Sequence, residues 1–170
     1  MRRTALLALA CLAAVSAGAG VAQAASPGVF RAYAAPENPI AVSVSVPPDS
    51  ITVFVSGMTA GVTDPSAPKG TVAAYGSTAV QTEGAIKRIQ AALQAQGLDL
   101  GDIVSMRVYL VGDPAKGGAM DFAGMMSAYS KHFGTPDQPN RPARTTVQVS
   151  ALVQPGLLVE IETTAVKPAH

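Results

Sequence analysis

Arg144 is the residue of this sequence best suited to binding a small anion. It ends a Pro142-Ala143-Arg144 segment, and the proline ring restricts the backbone just before the arginine. A guanidinium can donate two parallel hydrogen bonds to one carboxylate. The segment therefore predicts a carboxylate site, and an arginine on an ordinary polar strand face is the alternative interpretation.

Other reactive side chains are scarce. Cys11 is the only cysteine, and His132 and His170 are the only histidines. They do not have the spacing of a metal site, and the last residue of a chain is a poor place for a catalytic histidine. The sequence therefore predicts no metal, no disulfide and no Ser-His-Asp triad.

The first 24 residues have the pattern of a secretory signal peptide. A basic start at Arg2 and Arg3 precedes an apolar run, and Ala22-Gln23-Ala24 is a small-residue cleavage site. We expect cleavage after Ala24, a periplasmic or secreted protein, and no membrane association afterwards. A lipoprotein anchored through Cys11 is the alternative, although most of the apolar run would then follow the modified cysteine.

Removing 24 of the 170 residues leaves a chain of one ordinary domain. The loss of Arg2 and Arg3 changes the formal net charge from +1 to −1. Nucleic-acid binding needs a basic surface, so no nucleic-acid partner is expected. Residues 25–39 are rich in Ala, Gly and Pro without periodicity and predict a flexible arm, and residues 40–170 form the domain.

Alternating residues predict most of the strands. Two alternating segments, 42–46 and 51–56, flank Pro47-Pro48-Asp49 and predict a β-hairpin. A second hairpin is predicted around Gln154-Pro155-Gly156, with its core face formed by odd-numbered residues and its polar face by even-numbered ones. The core face comprises Val147, Val149, Ala151, Val159, Ile161 and Ala165, and the polar face comprises Thr146, Gln148, Ser150, Glu160, Glu162 and Thr164.

Two helices and a central strand complete the pattern. Apolar residues at helical spacing predict helices over 78–96 and 120–133, and alternation predicts a strand over 103–111. Residues 57–76 form a glycine-rich loop that is either functional or a surface excursion. The order β-β-α-β-α-β-β indicates a two-layer α+β domain with both helices on one face of the sheet. The mixed polar character of the other face predicts an oligomer.

Several segments between about Ile40 and Ala165 match one known family in order and spacing. They are Gln81 with Ala85-Ile86-Lys87-Arg88-Ile89, Gly97-Leu98, Gly101-Asp102-Ile103-Val104, Asp121-Phe122 with Tyr129 and Phe133, Pro142-Ala143-Arg144, and Val159-Glu160-Ile161-Glu162. With these segments the chain resembles the Rid (reactive intermediate deaminase, YjgF-type) family. The resemblance implies a chorismate-mutase-like fold, a homotrimer, and ligand clefts between subunits that need neither metal nor organic cofactor.

The resemblance also implies site residues. Arg144 would grip the carboxylate of a 2-imino acid and Glu160 would help water to attack, while Ser56, Gly57 and Thr146 would line the cleft. Three positions depart from the family pattern. Thr146 stands where many members have Cys, Met126 where many have Asn, and Ser43 near the usual Tyr of the first strand.

The resemblance thus implies hydrolytic deamination of small 2-imino or enamino acids to 2-oxo acids and ammonia. A trimer that binds small carboxylates without turnover is the alternative, and an endoribonuclease or translation inhibitor fits the charge less well. In the predicted C-terminal hairpin, Arg144 and Glu160 lie about six residues apart, on the order of 20 Å. We therefore expect each cleft to combine Arg144 of one subunit with Glu160 of its neighbour.

Overall fold

The computed structural model describes residues 28–167; the predicted signal peptide lies outside this range. The described chain is an α+β domain, and its two main helices and the strand at its centre form where periodicity predicted them. Short 3-10 turns at Leu100–Asp102 and Pro114–Lys116 precede and follow the central strand. The strands are β1 Phe30–Ala32, β2 Ser43–Ser45, β3 Ile51–Thr59, β4 Ile103–Val111, β5 Ala143–Val149 and β6 Val159–Lys167, and the helices are α1 Val72–Tyr75, α2 Thr78–Gln94 and α3 Phe122–Tyr129.

A four-stranded mixed sheet organises the domain in the order β3-β6-β4-β5. Strand β6 is antiparallel to both β3 and β4, whereas β5 is parallel to β4. Helices α2 and α3 cover one face, as predicted. The core between the two layers includes Ile86, Ile89 and Leu93 of α2, Met125 and Tyr129 of α3, and Met106, Val108, Leu110, Val159 and Ile161 of the sheet.

Helix α2 has defined ends. The Ser77 hydroxyl accepts a hydrogen bond from the Val80 amide at 3.5 Å, which caps the N-terminus. At the other end, Gly97 has φ +72° and the Leu98 amide donates to the Leu93 carbonyl at 3.0 Å. This is a glycine-terminated helix end, in which a residue with positive φ follows the last turn.

Helix α3 is shorter than its prediction of 120–133. It begins after Asp121, whose side chain accepts from the Gly124 amide at 3.0 Å, and it ends at Tyr129. Phe122, expected in the core, is 43% exposed, while Phe133 is buried beyond the end of the helix. Within the described residues, no helix is long and apolar enough to span a membrane.

Both predicted hairpins are wrong. Strand β2 pairs with β1 in a separate two-stranded sheet, and β3 pairs with β6. Strands β5 and β6 do not pair with each other, because β4 lies between them. Alternation and a Pro-Gly turn signal identify strands and a change of direction, but they do not identify which strands become neighbours.

The parallel pairing of β5 also reverses its predicted faces. Thr146 lies beside Val108 and Val147 beside Tyr109, so the even-numbered residues of β5 lie on the helix side. Val147 is 42% exposed. For β6 the prediction is confirmed, since Val159, Ile161 and Ala165 are buried.

The described part of the predicted flexible arm is packed against the domain. Strand β1 lies within it, and Arg31 is only 2% exposed. The Arg31 Nη2 atom donates to the carbonyl oxygens of Gly101 and Ile103 at 2.8 and 3.0 Å. Strands β1 and β2 form a two-stranded ribbon. An apolar cluster of Val29, Val44, Val104 and Val166 joins this ribbon to the four-stranded sheet. Composition missed this packing because the segment is short and has no period.

The sheet face opposite the helices is open in the single chain. Arg107 and Tyr109 of β4 lie on it, as predicted, together with Glu160 and Glu162 of β6. Phe54 of β3 is 80% exposed on this face. A large aromatic side chain left in water beside charged groups is typical of a surface that another molecule covers.

Candidate functional site

Arg144 lies on the helix side of the sheet, at the beginning of edge strand β5. Its Cζ atom is 4.2 Å from the centre of the Tyr129 ring and 5.9 Å from that of Phe122. Its Nη2 atom donates to the Met126 sulfur at 3.2 Å. Residues 122, 126 and 129 are spaced by four and three positions, so they share one face of α3. This face forms the support on which the guanidinium rests.

The Arg144 guanidinium retains capacity for a ligand. Its Nη1 atom is buried without a hydrogen-bond partner among the described residues. Burial lowers the pKa of Arg144, and Tyr129 partly opposes this effect. An arginine stays charged in proteins, so this is a desolvated cation with a free donor. A carboxylate would satisfy both the charge and the donor.

Thr146 is the next residue of β5 on the same face as Arg144. Its Oγ1 atom is also buried without a partner among the described residues. Residues two apart in a strand are about 7 Å apart and lie on the same side. The two open positions are therefore neighbours, and the predicted association of Thr146 with Arg144 matches the structure.

Glu160 lies on the other side of the sheet, at the beginning of β6. It is paired with Thr59 of β3 and Tyr109 of β4. The β3–β6 register shifts between Val55 and Met58, so Ser56 and Gly57 form an irregularity beside it. A Cβ atom at Gly57 would overlap the Glu160 carboxylate. Glycine at this position therefore lets the carboxylate lie directly against the β3 backbone, and the structure brings Ser56, Gly57 and Glu160 together.

Arg144 and Glu160 do not meet within one chain. Arg144 lies beside Met106 and Glu160 beside Tyr109, so they are three residues apart along β4, roughly 10 Å. They also lie on strands flanking β4, about 10 Å apart, and their side chains lie on opposite faces. The hairpin distance of about 20 Å is wrong because β5 and β6 do not form a hairpin. That the two residues do not meet within one chain follows instead from their opposite faces, and a cleft shared between subunits stays a prediction.

The surroundings of Glu160 are charged. Glu162 accepts from Arg107 Nη1 at 2.7 Å and from the Tyr109 hydroxyl at 3.2 Å. This contact raises the pKa of Arg107, while burial and the nearby Glu162 raise that of Tyr109. The Glu162 carboxylate is thus engaged with two donors. Glu160 is the carboxylate of this strand that faces the Ser56-Gly57 irregularity.

A groove lies at the beginning of β5, where residues 40–42 cross that strand. It has a volume of about 470 Å³, and its lining comprises Ile40, Ala41, Val42, Ser105, Met106, Arg107, Ala143, Arg144 and Thr145. Ala41 closes one side, because its amide donates to the Pro142 carbonyl at 3.0 Å. Ser105, Arg107, Ala143 and Thr145 belong to the open face of the sheet, so much of this groove lies on the side opposite the Arg144 guanidinium.

The histidine that falls within the described chain serves elsewhere. His132 lies 3.0 Å from Glu83 of α2 and links the end of the α3 region to that helix. Among residues 28–167, no group of three or more His, Cys, Asp or Glu side chains is close enough to hold a metal ion.

Sequence reasoning missed two supports of the site. Tyr129 belongs to the core, and its ring also supports Arg144. Arg141 Nη1 donates to the carbonyl oxygens of Pro36 and Asn38 and so holds the N-terminal segment against the site. The helical spacing of Phe122, Met126 and Tyr129 could have indicated the first support. The position of Arg141 before Pro142 offered no comparable signal.

The fold and the surroundings of Arg144 define an α+β protein with a candidate carboxylate site. The family model named Endoribonuclease L-PSP matches residues 37–167. This covers most of the sequence, so the chain belongs to the Rid/YjgF/L-PSP family. Membership confirms the resemblance that the sequence motifs indicated.

Individual relatives agree with this assignment. A RutC family protein of Pyrococcus horikoshii is 37% identical over 87 residues, covering 51% of this chain and 60% of the relative. Protein DfrA of Myxococcus xanthus is 37% identical over 92 residues, covering 54% and 61%. The alignments thus span about three fifths of the length of these curated relatives.

Solved structures share the fold. E. coli TdcF with bound serine has a TM-score of 0.52 and 26% identity, covering 78% of this chain and 95% of that chain. A putative endoribonuclease from Thermotoga maritima has a TM-score of 0.52 and 28% identity, covering 78% and 90%.

The contact at Gly57 gives a test of the Glu160 position. In Gly57→Ala, the added methyl group should displace the Glu160 carboxylate while the fold survives, because the atoms it meets belong to a side chain. Gly61→Ala is the matched control, since a Cβ there meets nothing within 4 Å. Crystal structures and melting curves of both variants check this. A Glu160 carboxylate that stays in place in Gly57→Ala would contradict the described packing.

Proposed function

We propose that the protein is a cofactor-free hydrolase that converts small 2-imino or enamino acids to 2-oxo acids and ammonia. The observation that supports this most directly is the Arg144 guanidinium, desolvated on the α3 face with Nη1 free. Family membership supports the same class of reaction. A relative whose structure contains bound serine shows that a member of the fold can hold an amino acid.

In the proposed reaction, Arg144 binds the substrate carboxylate and thereby places the C=N carbon in the cleft. Glu160 accepts a proton from water as the water oxygen bonds to that carbon, and the imine nitrogen takes up a proton. The carbinolamine hydroxyl then gives its proton to solvent, Glu160 returns its proton to the amino nitrogen, and the C–N bond breaks as the C=O bond forms, so that ammonia leaves. Water is consumed and no electrons are exchanged, so the reaction balances without a redox partner.

Arg144 forms one half of the proposed cleft, and Glu160, Ser56 and Gly57 form the other; we call these the two half-sites. They can meet only when two chains assemble. We propose a homotrimer in which each cleft combines Arg144 of one subunit with Glu160, Ser56 and Gly57 of the next. The support is geometric, because the two residues lie on opposite faces of one sheet. The exposed Phe54 beside the second half-site fits a surface covered by a neighbouring subunit. A closed cyclic arrangement gives equivalent interfaces and therefore three equivalent sites.

A carboxylate-binding trimer without turnover is the second candidate. It is favoured by Met126, whose sulfur takes up one Arg144 donor where many relatives carry an amide. The two candidates differ in product, because only the hydrolase releases ammonia. RNA cleavage receives less support, since the expected mature chain has ten basic residues against eleven acidic ones, and Arg31, Arg141 and Arg144 are engaged inside the fold.

The role of Arg144 is tested with freshly generated 2-iminopropanoate. Arg144→Ala should reduce hydrolysis to the uncatalysed rate, and Arg144→Lys should lose most activity because a single ammonium cannot reproduce the planar fork. Ammonia release and substrate decay are followed together. Lys116→Ala, a substitution in the loop between β4 and α3, serves as a charge control and should retain full activity. Wild-type activity in Arg144→Ala would remove this residue from the site.

The shared cleft is tested by mixing inactive subunits. Arg144→Ala and Glu160→Gln proteins are co-refolded in equal amounts, and mixed trimers are verified by separate affinity tags. Every mixed trimer then contains one interface with both intact residues, so random mixing should restore about a quarter of the wild-type activity. Failure of verified mixed trimers to regain activity, with Glu160→Gln alone inactive, would contradict the shared cleft.

We also propose that the protein is exported. The support is the pattern of Arg2, Arg3, the following apolar run and Ala22-Gln23-Ala24. The mature N-terminus should be Ala25, in the periplasmic or secreted fraction, when it is mapped by mass spectrometry of fractionated cells. A chain that retains Met1 and remains in the cytosol would contradict export.

A further inference from the structure

The Tyr129 ring lies between two other planar groups. It is 1% exposed, and its centre is 4.6 Å from that of Phe133 with an angle of 16° between the rings. The Arg144 guanidinium carbon is 4.2 Å from the same ring centre. Since both groups lie over the ring, they occupy its two faces. The Arg144 guanidinium is therefore supported by a stack anchored in the core.

The Tyr129 hydroxyl connects this stack to the N-terminal segment, which we define as residues 36–41. It donates to the Pro39 carbonyl at 2.9 Å. Burial raises the pKa of Tyr129 well above its ordinary value, so the hydroxyl remains protonated and remains a donor at neutral pH. The Arg141 contacts and the Ala41 amide fix the same segment from the other side.

We infer that Tyr129 is the positioning residue of the Arg144 carboxylate site and that its hydroxyl makes the N-terminal segment part of that support. This inference rests on the proposed function, because it assigns the supported guanidinium to carboxylate binding. Tyr129 acts through Arg144: its ring restrains the guanidinium plane, and its hydroxyl restrains the ring. The N-terminal segment thus contributes to ligand affinity through Tyr129.

The chemistry of the contact explains why an aromatic ring stands here. A desolvated cation gains electrostatic attraction from the face of a ring, and a flat ring restricts tilting of a planar group. With Nη2 directed at Met126, this restraint leaves Nη1 free for a ligand oxygen. An aliphatic side chain would fill the volume, but it would offer neither the attraction nor the flat surface.

The chain contains a matched pair that separates positioning from general packing. Arg141 lies over the Tyr33 ring at 4.2 Å, the same separation as Arg144 over Tyr129. The Tyr33 hydroxyl also contacts this region, since it accepts from the Arg141 amide at 3.3 Å. Substitutions at Tyr33 therefore disturb a similar arginine–tyrosine contact beside the same segment without touching Arg144.

The experiment compares Tyr129→Phe, Tyr129→Leu, Tyr33→Phe and Tyr33→Leu in the full mature chain. Pyruvate, the expected oxo-acid product, is the binding probe in calorimetry, and 2-iminopropanoate is the substrate. We expect about tenfold weaker pyruvate binding for Tyr129→Leu and about threefold for Tyr129→Phe, which keeps the ring. KM should rise by similar factors while kcat changes less than about twofold, because uniform binding is lost. Both Tyr33 variants should bind pyruvate within about twofold of the wild type.

A second measurement follows Arg144 without a ligand. The heteronuclear NOE of the Arg144 Nε–H group, assigned by its loss in Arg144→Ala, should fall in Tyr129→Leu, fall less in Tyr129→Phe, and stay unchanged in the Tyr33 variants. If Tyr129→Leu does not fold, the Tyr129→Phe comparison still decides. Unchanged Arg144 dynamics and unchanged pyruvate affinity in Tyr129→Phe would overturn the inference. Reduced Arg144 order in a protein that binds no pyruvate would instead contradict the proposed function.

Discussion

The pairing of β5 with β4 in parallel is the constraint on which the candidate site depends. Because β4 separates β5 from β6, Arg144 and Glu160 belong to strands that never touch. The same register places Arg144 on the helix face and Glu160 on the open face. Any chemistry that needs both residues in one cleft therefore requires two chains.

Two arginines hold the beginning of the described chain against the domain: Arg31 fixes the β1–β2 ribbon, and Arg141 fixes the N-terminal segment. Arg31 and Arg141 donate to backbone carbonyls, whereas Arg144 rests on an aromatic ring and a sulfur. Backbone carbonyls take up only some donors of the first two, since Arg31 Nε, Arg31 Nη1 and Arg141 Nε are buried without a partner among the described residues, as Arg144 Nη1 is. What distinguishes Arg144 is its support by a ring face and a thioether instead of backbone carbonyls. The contacts of Arg31 and Arg141 also explain why a segment without recognisable periodicity is nevertheless held in place.

Two of the three positions that depart from the family pattern, Met126 and Thr146, lie close to Arg144. Met126 contacts the Arg144 guanidinium directly, and Thr146 presents a buried hydroxyl on the same face. Thioether sulfur is a weak acceptor, so Met126 restrains one nitrogen without neutralising the charge. The guanidinium therefore keeps its charge while the adjoining wall is less polar than an amide would make it. In the proposed site, this difference concerns which ligands fit beside the carboxylate.

Local sequence determined the helices, strand β4, the N-cap at Asp121 and the glycine-terminated end of α2, because short-range hydrogen bonds and side-chain periodicity decide these features. Family motifs in the sequence also indicated the fold and the candidate residues. Strand neighbours, the faces of β5 and the burial of Arg31 were decided only by tertiary structure. The reason is that strand pairing joins residues far apart in sequence. When a strand pairs with a different neighbour, its side chains enter different surroundings. The support of Arg144 by Tyr129 likewise exists only once α3 lies against β5.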